Sequence, residues 1–166
     1  MLIVFGGLPG TGKTTLARRT AAELAAAYLR IDALEAAMGR AGLPRDPRVG
    51  LAAYVVAQTV AEGSLAAGAT VVVDAVNPVE EARRAWRELA HRTGRPLRVV
   101  EVTCSDETEH RRRVENRTAD LDGHDVPSWA DVVAREYEPW TEDRLVVDTR
   151  EPEDACLARI MAYLRA

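Results

Sequence analysis

The sequence predicts an α/β fold in which helices cover both faces of a parallel sheet. Strand-like and helix-like patterns alternate along the whole chain, and this alternation is typical of parallel strands joined by crossover helices. The predicted strands are residues 2–6, 28–31, 70–74, 97–103 and 144–148, and the predicted helices are residues 13–27, 33–40, 48–67, 79–93, 106–117, 128–137 and 153–165. The 166 residues contain no repeat or linker, which favours one domain over 1–166.

Polar residues and glycine mark several of the predicted helix ends. Asn77 comes directly before Pro78 and is predicted to be the N-cap of the helix over 79–93, which Gly94 is expected to close. Two further helix starts have the residue types of a capping box, Asp32 with Glu35 and Ser128 with Asp131.

The most specific signal is the glycine-rich loop between the first strand and the first helix. Residues 7–14 read Gly-Leu-Pro-Gly-Thr-Gly-Lys-Thr, which is the G-x-x-x-x-G-K-T pattern of a phosphate-binding P-loop. Backbone N–H groups and the helix N-terminus of such a loop face the phosphates of a nucleotide. Lys13 is the only lysine among the 22 Lys and Arg residues, and a planar guanidinium does not readily replace its compact charge.

The loop therefore predicts a site for ATP and Mg²⁺. Lys13 is expected to contact the β- and γ-phosphates, and the Thr14 hydroxyl is expected to ligate Mg²⁺. The residues predicted to bind the nucleotide are Leu8, Pro9, Gly10, Thr11, Gly12, Lys13, Thr14 and Thr15 of the loop, together with Arg113 and Arg117.

Two aspartates lie at predicted strand ends, where open α/β sheets bind their ligands. Asp32 follows the second strand and is a candidate general base that accepts a proton from an attacking hydroxyl, although it also fits a helix cap. Asp74 ends the Val-Val-Val strand over 71–73 and is predicted to hold Mg²⁺ or its water shell, with substrate binding or a turn as alternatives.

An arginine-rich helix precedes a polar stretch at 118–127. Arg113 and Arg117 lie one helical turn apart and are predicted to stack on adenine and to stabilise the transferring phosphate. A solvated basic face balanced by glutamates is the alternative, and it is favoured for Arg111 and Arg112. The polar stretch is predicted to be a mobile loop that closes over the nucleotide.

The composition argues against several classes of protein. A net charge of −4 and a pI of about 5.5 provide no broad basic surface, which general nucleic-acid binding requires. No apolar run is judged to reach the roughly 20 residues of a membrane helix, and no signal-peptide pattern is found, so a cytoplasmic protein is expected. Cys104 and Cys156 are predicted to be buried reduced thiols, and His91, His110 and His124 to be solvated.

The P-loop, Asp32, Asp74 and the Arg113–Arg117 pair come in an order that resembles small P-loop kinases. The resemblance is to the AAA-domain kinase-like group, which includes chloramphenicol phosphotransferase, polynucleotide 5′-kinase and zeta toxin relatives. The segment 32–38, Asp-Ala-Leu-Glu-Ala-Ala-Met, is similar to the segment that carries the hydroxyl-activating Asp in chloramphenicol phosphotransferase.

This resemblance implies a P-loop NTPase fold, a three-layer α/β/α sandwich whose five-stranded parallel sheet has the order 2-3-1-4-5. It also implies a small lid around 113–127 and an adenine pocket near Arg113 and the loop after Asp148. The implied reaction is transfer of the γ-phosphate of ATP to an acceptor.

The expected function is that of an ATP-dependent kinase that phosphorylates a hydroxyl group of a small molecule, with Lys13, Asp32 and Arg117 as catalytic residues. Polynucleotide kinases tend to carry an Arg three positions after the base, where this chain has Glu35. That difference favours a neutral or cationic acceptor. The alternatives are a nucleic-acid 5′-end kinase and a regulatory nucleotide-binding ATPase. The sequence identifies neither the acceptor nor the oligomeric state.

Overall fold

The structure, a computed structural model, describes residues 1–44, 46–122 and 126–166. Its strands are β1 (Leu2–Gly6), β2 (Ala27–Arg30), β3 (Val71–Asp74), β4 (Leu97–Thr103) and β5 (Leu145–Asp148). Its helices are α1 (Lys13–Glu23), α2 (Ile31–Arg40), α3 (Pro47–Ala66), α4 (Glu80–Thr93), α5 (Glu107–Glu115), α6 (Trp129–Ala134) and α7 (Glu153–Arg165). The alternation of strands and helices predicted from the sequence is confirmed.

The five strands form one parallel sheet in the order β2-β3-β1-β4-β5, as expected. Asp74 at the end of β3 is in register with Arg30 of β2 on one side and with Phe5 of β1 on the other. The carboxyl ends of parallel strands share one edge of the sheet, so this register places Asp74 beside the loop that follows β1.

Two apolar clusters, one on each face of the sheet, produce the three layers. On one face, buried side chains of α3 and α4 pack against the sheet, and on the other face those of α1 and α7 do so. The β3 residues Val71 and Val73 belong to the first cluster and Val72 to the second, because successive side chains of a strand point to opposite faces. The predicted three-layer sandwich is therefore confirmed.

Helix α1 is shorter than predicted, because it ends at Glu23 and not at residue 27. Ala25 has a φ of 47°, a left-handed conformation that turns the chain into β2 at Ala27. The alanines of this segment have high intrinsic helix propensity, and the tertiary need to enter the sheet overrides it. Helix α6 also stops early, at Ala134, and Arg135 is extended.

The capping box predicted for Asp32 and Glu35 is wrong. Helix α2 begins at Ile31, directly after β2, and its N-cap is Arg30 in an extended conformation without a side-chain cap. Asp32 thus lies inside the first turn of α2, where the positive end of the helix dipole favours a carboxylate. Its side chain is consequently not needed to cap the helix.

The prediction for Asn77 is wrong as well, because the N-cap of α4 is Val79. Asn77 is fully buried with a φ of 51°, and its Nδ2 donates to the carbonyl oxygen of Phe5 at 2.9 Å. Its Oδ1 accepts a hydrogen bond from Nε1 of Trp86 at 3.0 Å. Asn77 therefore joins β1 to α4. The predicted Gly94 cap, with a φ of 61°, and the Ser128–Asp131 capping box are both confirmed.

Helix α3 is, within the described ranges, the one helix long and apolar enough to cross a membrane by length and composition alone. The expectation that no apolar run approaches this length is therefore wrong. Core helices pass the same test, and the row Ala53, Ala57, Ala61 and Leu65 is fully buried against the sheet.

Candidate active site

The loop between β1 and α1 has the backbone conformation that its glycines allow. Gly10 and Gly12 have φ values of 83° and 88°, in the left-handed region that favours glycine, and Gly12 is the N-cap of α1. The Thr11 hydroxyl donates to the carbonyl oxygen of Leu8 at 2.9 Å and closes the turn. The backbone amides at the start of α1 thus remain available to an anion, as in a phosphate-binding loop.

Lys13 and Asp74 form a buried ion pair at the centre of the site. The Lys13 Nζ lies 2.7 Å from Oδ1 of Asp74, and the Tyr28 hydroxyl donates to Oδ2 at 2.7 Å. Burial opposes ionisation of Asp74, but the charge and hydrogen bond of Lys13, with hydrogen bonds from Tyr28 and Thr14, hold the pKa of this carboxyl below its ordinary value. Burial, and secondarily the Asp74 charge, raise the pKa of Tyr28 above its ordinary value.

Thr14 and Asp74 fit the ligand preference of Mg²⁺. The Thr14 hydroxyl and the Asp74 carboxylate are hard oxygen donors, and Thr14 is among the groups that lower the pKa of Asp74. Mg²⁺ usually takes only one or two protein ligands and completes its octahedron with waters and phosphate oxygens. These two side chains are therefore the residues that would hold the ion beside a bound nucleotide.

Asp32 lies at the same sheet edge as the P-loop. Its Oδ2 is 3.4 Å from Nη2 of Arg30, and its side chain is 23% exposed. Asp32 lines the same cavity as Lys13 and Thr14, which has a volume of about 450 Å³. The structure thus brings the predicted base and most of the predicted phosphate-binding residues to the lining of one cavity.

Arg30 is a buried member of the site that the sequence reasoning missed. Its Nη1 and Nη2 bind the Asp120 carboxylate at 2.5 and 3.2 Å, and its Nε is 3.9 Å from Oδ2 of Asp74. Hydrogen bonding to Arg30 holds the pKa of the Asp120 carboxyl below its ordinary value. Arg30 precedes Asp32 by two residues, but Asp120 is 90 residues away, so local sequence held no sign of this contact.

Arg113 is held by contacts with its own helix and with the loop after β5. Its Nε donates to Glu109 at 2.7 Å, and its Nη1 and Nη2 donate to the hydroxyl and carbonyl oxygens of Thr149 at 2.8 and 3.0 Å. The Thr149 hydroxyl in turn donates to the carbonyl oxygen of Thr11 at 2.8 Å. A second cavity of about 450 Å³ lies here, lined by Gly12, Thr15, Arg113 and the loop 149–153.

Arg117 lies beyond the end of α5, and its Nη2 contacts Oδ1 of Asp120 at 3.3 Å. Arg113 is within α5, so the predicted lid over 113–127 includes helical residues, and the non-helical segment begins at Asn116. Segment 116–122 also contacts α2, whose last residue Arg40 donates to the carbonyl oxygen of Asp122 at 3.1 Å. The rest of the predicted lid includes residues 123–125, which lie outside the described residues.

The other arginines of α5 have a different role. Arg111 pairs with Glu115, and Arg112 pairs with Glu109, each at 2.7 Å on the exposed side of the helix. This arrangement is the solvated basic face that was favoured for these two residues.

His110 is buried, so its assignment to the solvated surface is wrong. Its Nε2 lies 2.8 Å from the carbonyl oxygen of Pro9, and its ring packs edge-on against Trp129. His110 and Pro9 are 101 residues apart in the chain, so no local sequence pattern indicates this contact. His110 therefore supports the P-loop from α5. His91 is exposed as expected, and His124 lies outside the described residues.

Cys156 is buried as predicted, but Cys104 is only partly buried. Cys104 follows the end of β4, where the chain leaves the sheet toward α5.

The cavity around Lys13 also contains polar residues that were not predicted as site residues. Arg18 of α1, Tyr54 of α3, Arg135 and Asp120 all line it, together with Glu35. Among the predicted nucleotide-binding residues, Leu8, Pro9, Gly10, Gly12, Lys13, Thr14, Thr15, Arg113 and Arg117 line the cavity. Thr11 is 3% exposed and does not line it, because its side chain folds back onto the loop.

The fold and this phosphate-binding site define the class of the protein. Residues 2–135 match a family described as AAA domain, so most of the chain is covered. The chain belongs to this AAA-domain family.

Solved structures with the same fold include an APS kinase from Mycobacterium tuberculosis in complex with AMPPNP and APS. It shares 22% identity, the match covers 99% of this chain and 97% of that one, and the TM-score is 0.71. A sugar kinase from Janibacter sp. HTCC2649 shares 19% identity over 99% of this chain and 94% of that one, with a TM-score of 0.73.

A third similar structure is Kti12 from Chaetomium thermophilum in complex with ADP-AlF3. It shares 22% identity over 98% of both chains, with a TM-score of 0.71. Identities at this level demonstrate a shared fold. No curated protein sequence matches the chain.

Proposed function

We propose that this protein is an ATP-dependent kinase that transfers the γ-phosphate of ATP to a hydroxyl group of a small molecule. The observation that supports this function best is the single cavity lined by Lys13, Thr14 and Asp32. It combines a phosphate-binding loop with a carboxylate that can receive a proton. Structural neighbours solved with AMPPNP and with ADP-AlF3 support the use of ATP.

Lys13 binds the β- and γ-phosphates in the proposed mechanism. Its ammonium is neutralised by Asp74 in the structure, so binding of the phosphates replaces or shares this contact. When bound, Mg²⁺ held by Thr14 and Asp74 neutralises charge on the phosphate oxygens. Asp74 retains the hydrogen bond of Tyr28 throughout, which keeps its carboxylate oriented toward the loop.

Asp32 accepts the proton of the acceptor hydroxyl as that oxygen attacks the γ-phosphorus. The P–O bond to ADP breaks as the new P–O bond forms, and the transferred proton stays on Asp32 until solvent removes it. Arg117, which lines the same cavity, stabilises the charge on the transferring phosphoryl group in this mechanism. Arg113 borders the second cavity, which we assign to the adenine base.

The acceptor end of the cavity favours a neutral or cationic hydroxyl compound. Glu35 lines the cavity three residues after Asp32. A carboxylate at the position where polynucleotide kinases tend to carry an Arg is the feature that we take to disfavour an acceptor with phosphate groups. Tyr54 and Pro78 add apolar surface on which a carbon skeleton can pack. These features, together with the acidic net charge, disfavour a nucleic-acid end as the acceptor.

The proposal is tested by incubating the protein and γ-labelled ATP with a pool of metabolites and identifying labelled products by mass spectrometry. We expect one class of alcohol to be labelled by the wild type and not by the Lys13→Ala variant. The Arg112→Ala variant is the matched control, because Arg112 is exposed and bound to Glu109 outside both cavities. ATP hydrolysis without any labelled product would instead indicate a regulatory ATPase.

A further inference from the structure

The hydroxyl group of Tyr54 is a polar group of the cavity to which the proposed mechanism gives no role. Tyr54 lies on α3 and lines the same cavity as Lys13 and Asp32. Its Oη accepts a hydrogen bond from the backbone N–H of Asn77 at 3.2 Å. A phenol also carries a proton of its own, and no residue among those that the structure describes accepts that proton. A hydrogen-bond donor therefore remains for a molecule that enters the cavity.

Tyr54 is held in place by two neighbouring groups. Asn77, whose N–H binds it, is fully buried and is itself hydrogen-bonded to Phe5 and to Trp86. The ring of Tyr54 lies against the ring of Trp86, with 6.3 Å between the centroids and 44° between the planes. The Tyr54 hydroxyl is therefore preorganised, so a ligand that binds it does not first have to order this side chain.

Helix packing brings Tyr54 close to the proposed base, Asp32. The side chain of Glu35 on α2 approaches α3 at Gly50, where an added Cβ atom would lie 3.3 Å from its Oε1. Gly50 is one helical turn before Tyr54 on α3. Asp32 is one turn before Glu35 on α2. The face of α2 that carries Asp32 is therefore adjacent to the face of α3 that carries Tyr54.

The Tyr54 hydroxyl is protonated at neutral pH. Burial raises the pKa of this phenol above its ordinary value of about 10, the hydrogen bond from Asn77 partly opposes this, and the charges of Asp32 and Glu35 raise the pKa further. Tyr54 can therefore donate a hydrogen bond, but it does not compete with Asp32 as a base.

The attacking oxygen of the acceptor is a poor partner for this donor. In the proposed mechanism that oxygen gives its proton to Asp32 and attacks the γ-phosphorus with a lone pair. A hydrogen bond donated to the same oxygen would withdraw electron density from the lone pair and slow the attack. Donated to another oxygen of the same molecule, the hydrogen bond positions the acceptor and does not oppose the reaction.

We propose that Tyr54 is an acceptor-binding residue, and that the acceptor carries a second oxygen, in a hydroxyl or carbonyl group, to which the Tyr54 hydroxyl donates. This inference rests on the proposed kinase function and narrows the class of its acceptor. A second uncharged oxygen is compatible with the neutral or cationic acceptor favoured above. An alcohol without a second oxygen is expected to be a poor acceptor, because it leaves a buried donor unpaired.

The experiment uses the acceptor identified from the labelled metabolite pool and a series of its analogues, in each of which one oxygen other than the phosphorylated one is replaced by hydrogen. We expect the removal of one particular oxygen to lower kcat/KM of the wild type by about 30-fold, the scale of a buried donor left unpaired. In the Tyr54→Phe variant the same removal should cost less than about threefold, because the donor is absent. A wild type that uses every analogue as well as the acceptor itself, or a Tyr54→Phe variant that keeps the full discrimination, overturns the inference.

The matched control is Trp86→Phe, which separates loss of the donor from loosening of its surroundings. Trp86 is buried and donates to Oδ1 of Asn77, so this change weakens the support of Asn77 while the Tyr54 hydroxyl remains. We expect it to lower kcat/KM by the same factor for the acceptor and for every analogue. If Trp86→Phe loses the discrimination as fully as Tyr54→Phe does, the effect belongs to Asn77 and the role of Tyr54 is overturned.

Failure of this inference and failure of the kinase function give different results. A labelled acceptor that has no second oxygen overturns the inference about Tyr54 alone. A pool in which the wild type labels no product contradicts the kinase function, and the inference falls with it. The Tyr54→Phe variant should keep the rise in melting temperature with ATP and Mg²⁺, which shows that it is folded. The analogue series with the wild type decides the question even if this variant is too unstable to assay.

Discussion

At the scale of single residues, the structure separates two roles that the sequence left combined in Asp32. The N-cap of α2 is Arg30, and Asp32 lies within the first turn. A substitution at Asp32 therefore tests catalysis without removing a helix cap.

The Asp32→Asn variant is expected to lose phosphoryl transfer while it keeps its fold. Transfer to the acceptor should fall by about 10²–10⁴, the range for a lost general base. The free energy of unfolding should change by less than about 1 kcal/mol, the scale of a charge at a helix end. Transfer rates with the identified acceptor measure the first effect. Unfolding by denaturant measures the second. A wild-type transfer rate would show that Asp32 is not the base.

The buried pair of Lys13 and Asp74 is expected to make stability dependent on pH. The pKa of Asp74 in the folded state is lowered, so this stabilisation is complete above the unfolded value of about 3.9 and is lost as pH falls below it. Stability should therefore rise with pH through this acid range. Unfolding free energies between about pH 3 and 6 should show a smaller slope in the Lys13→Met, Asp74→Asn double variant. An unchanged slope would exclude the Lys13–Asp74 pair as the source of the pH dependence of stability.

The single variant Lys13→Ala provides a contrast to that double variant. It leaves Asp74 buried with Tyr28 but without its cation, and loss of one partner of a buried ion pair costs about 3–5 kcal/mol. The double variant should be more stable than Lys13→Ala alone, as thermal unfolding can measure.

At the scale of elements, the contact between Arg30 and Asp120 connects β2 to the segment after α5. Asp120 is about half exposed, so the direct coupling is expected to be on the order of 1 kcal/mol, less than for a fully buried pair. A double-mutant cycle with Arg30→Gln, Asp120→Asn and the combined variant measures this coupling, both in the free energy of unfolding and in the rate of phosphoryl transfer. Additive effects on transfer would show that the contact does not contribute to the reaction.

The same contact is expected to affect how segment 116–122 responds to nucleotide. We expect its amide hydrogen exchange to slow when a non-hydrolysable ATP analogue binds, because in the proposed mechanism Arg117 binds the phosphates and the segment excludes water. The Asp120→Asn variant should exchange faster in the free state, since Arg30 no longer holds the segment. Equal exchange with and without the analogue would argue against a lid.

At the scale of the whole molecule, nucleotide binding should stabilise the fold. ATP with Mg²⁺ is expected to raise the melting temperature of the wild type, because a ligand of the folded state shifts the unfolding equilibrium. The Lys13→Ala variant should show no shift, whereas the Arg112→Ala control should shift like the wild type. No shift with any nucleotide in the wild type would contradict the proposed site.

The parts of the site that the sequence predicted are those marked by a pattern in neighbouring residues. Leu8 to Thr15 are contiguous and span the loop and the first residues of α1, and strand ends such as Asp74 follow directly from the apolar runs before them. The parts that it missed depend on distant contacts. His110 lies against Pro9, and Asp120 binds Arg30, across 101 and 90 residues.

The sequence by itself determined the α/β class and the phosphate-binding loop, because hydrophobic periodicity and backbone-permissive glycines act over a few neighbouring residues. The strand order was implied by a family resemblance and then confirmed by the structure. Only the tertiary structure decided that Asn77 joins β1 to α4 and that Arg30 lies among three carboxylates. These features are set by packing between elements, where burial and partners come from residues far away in the chain.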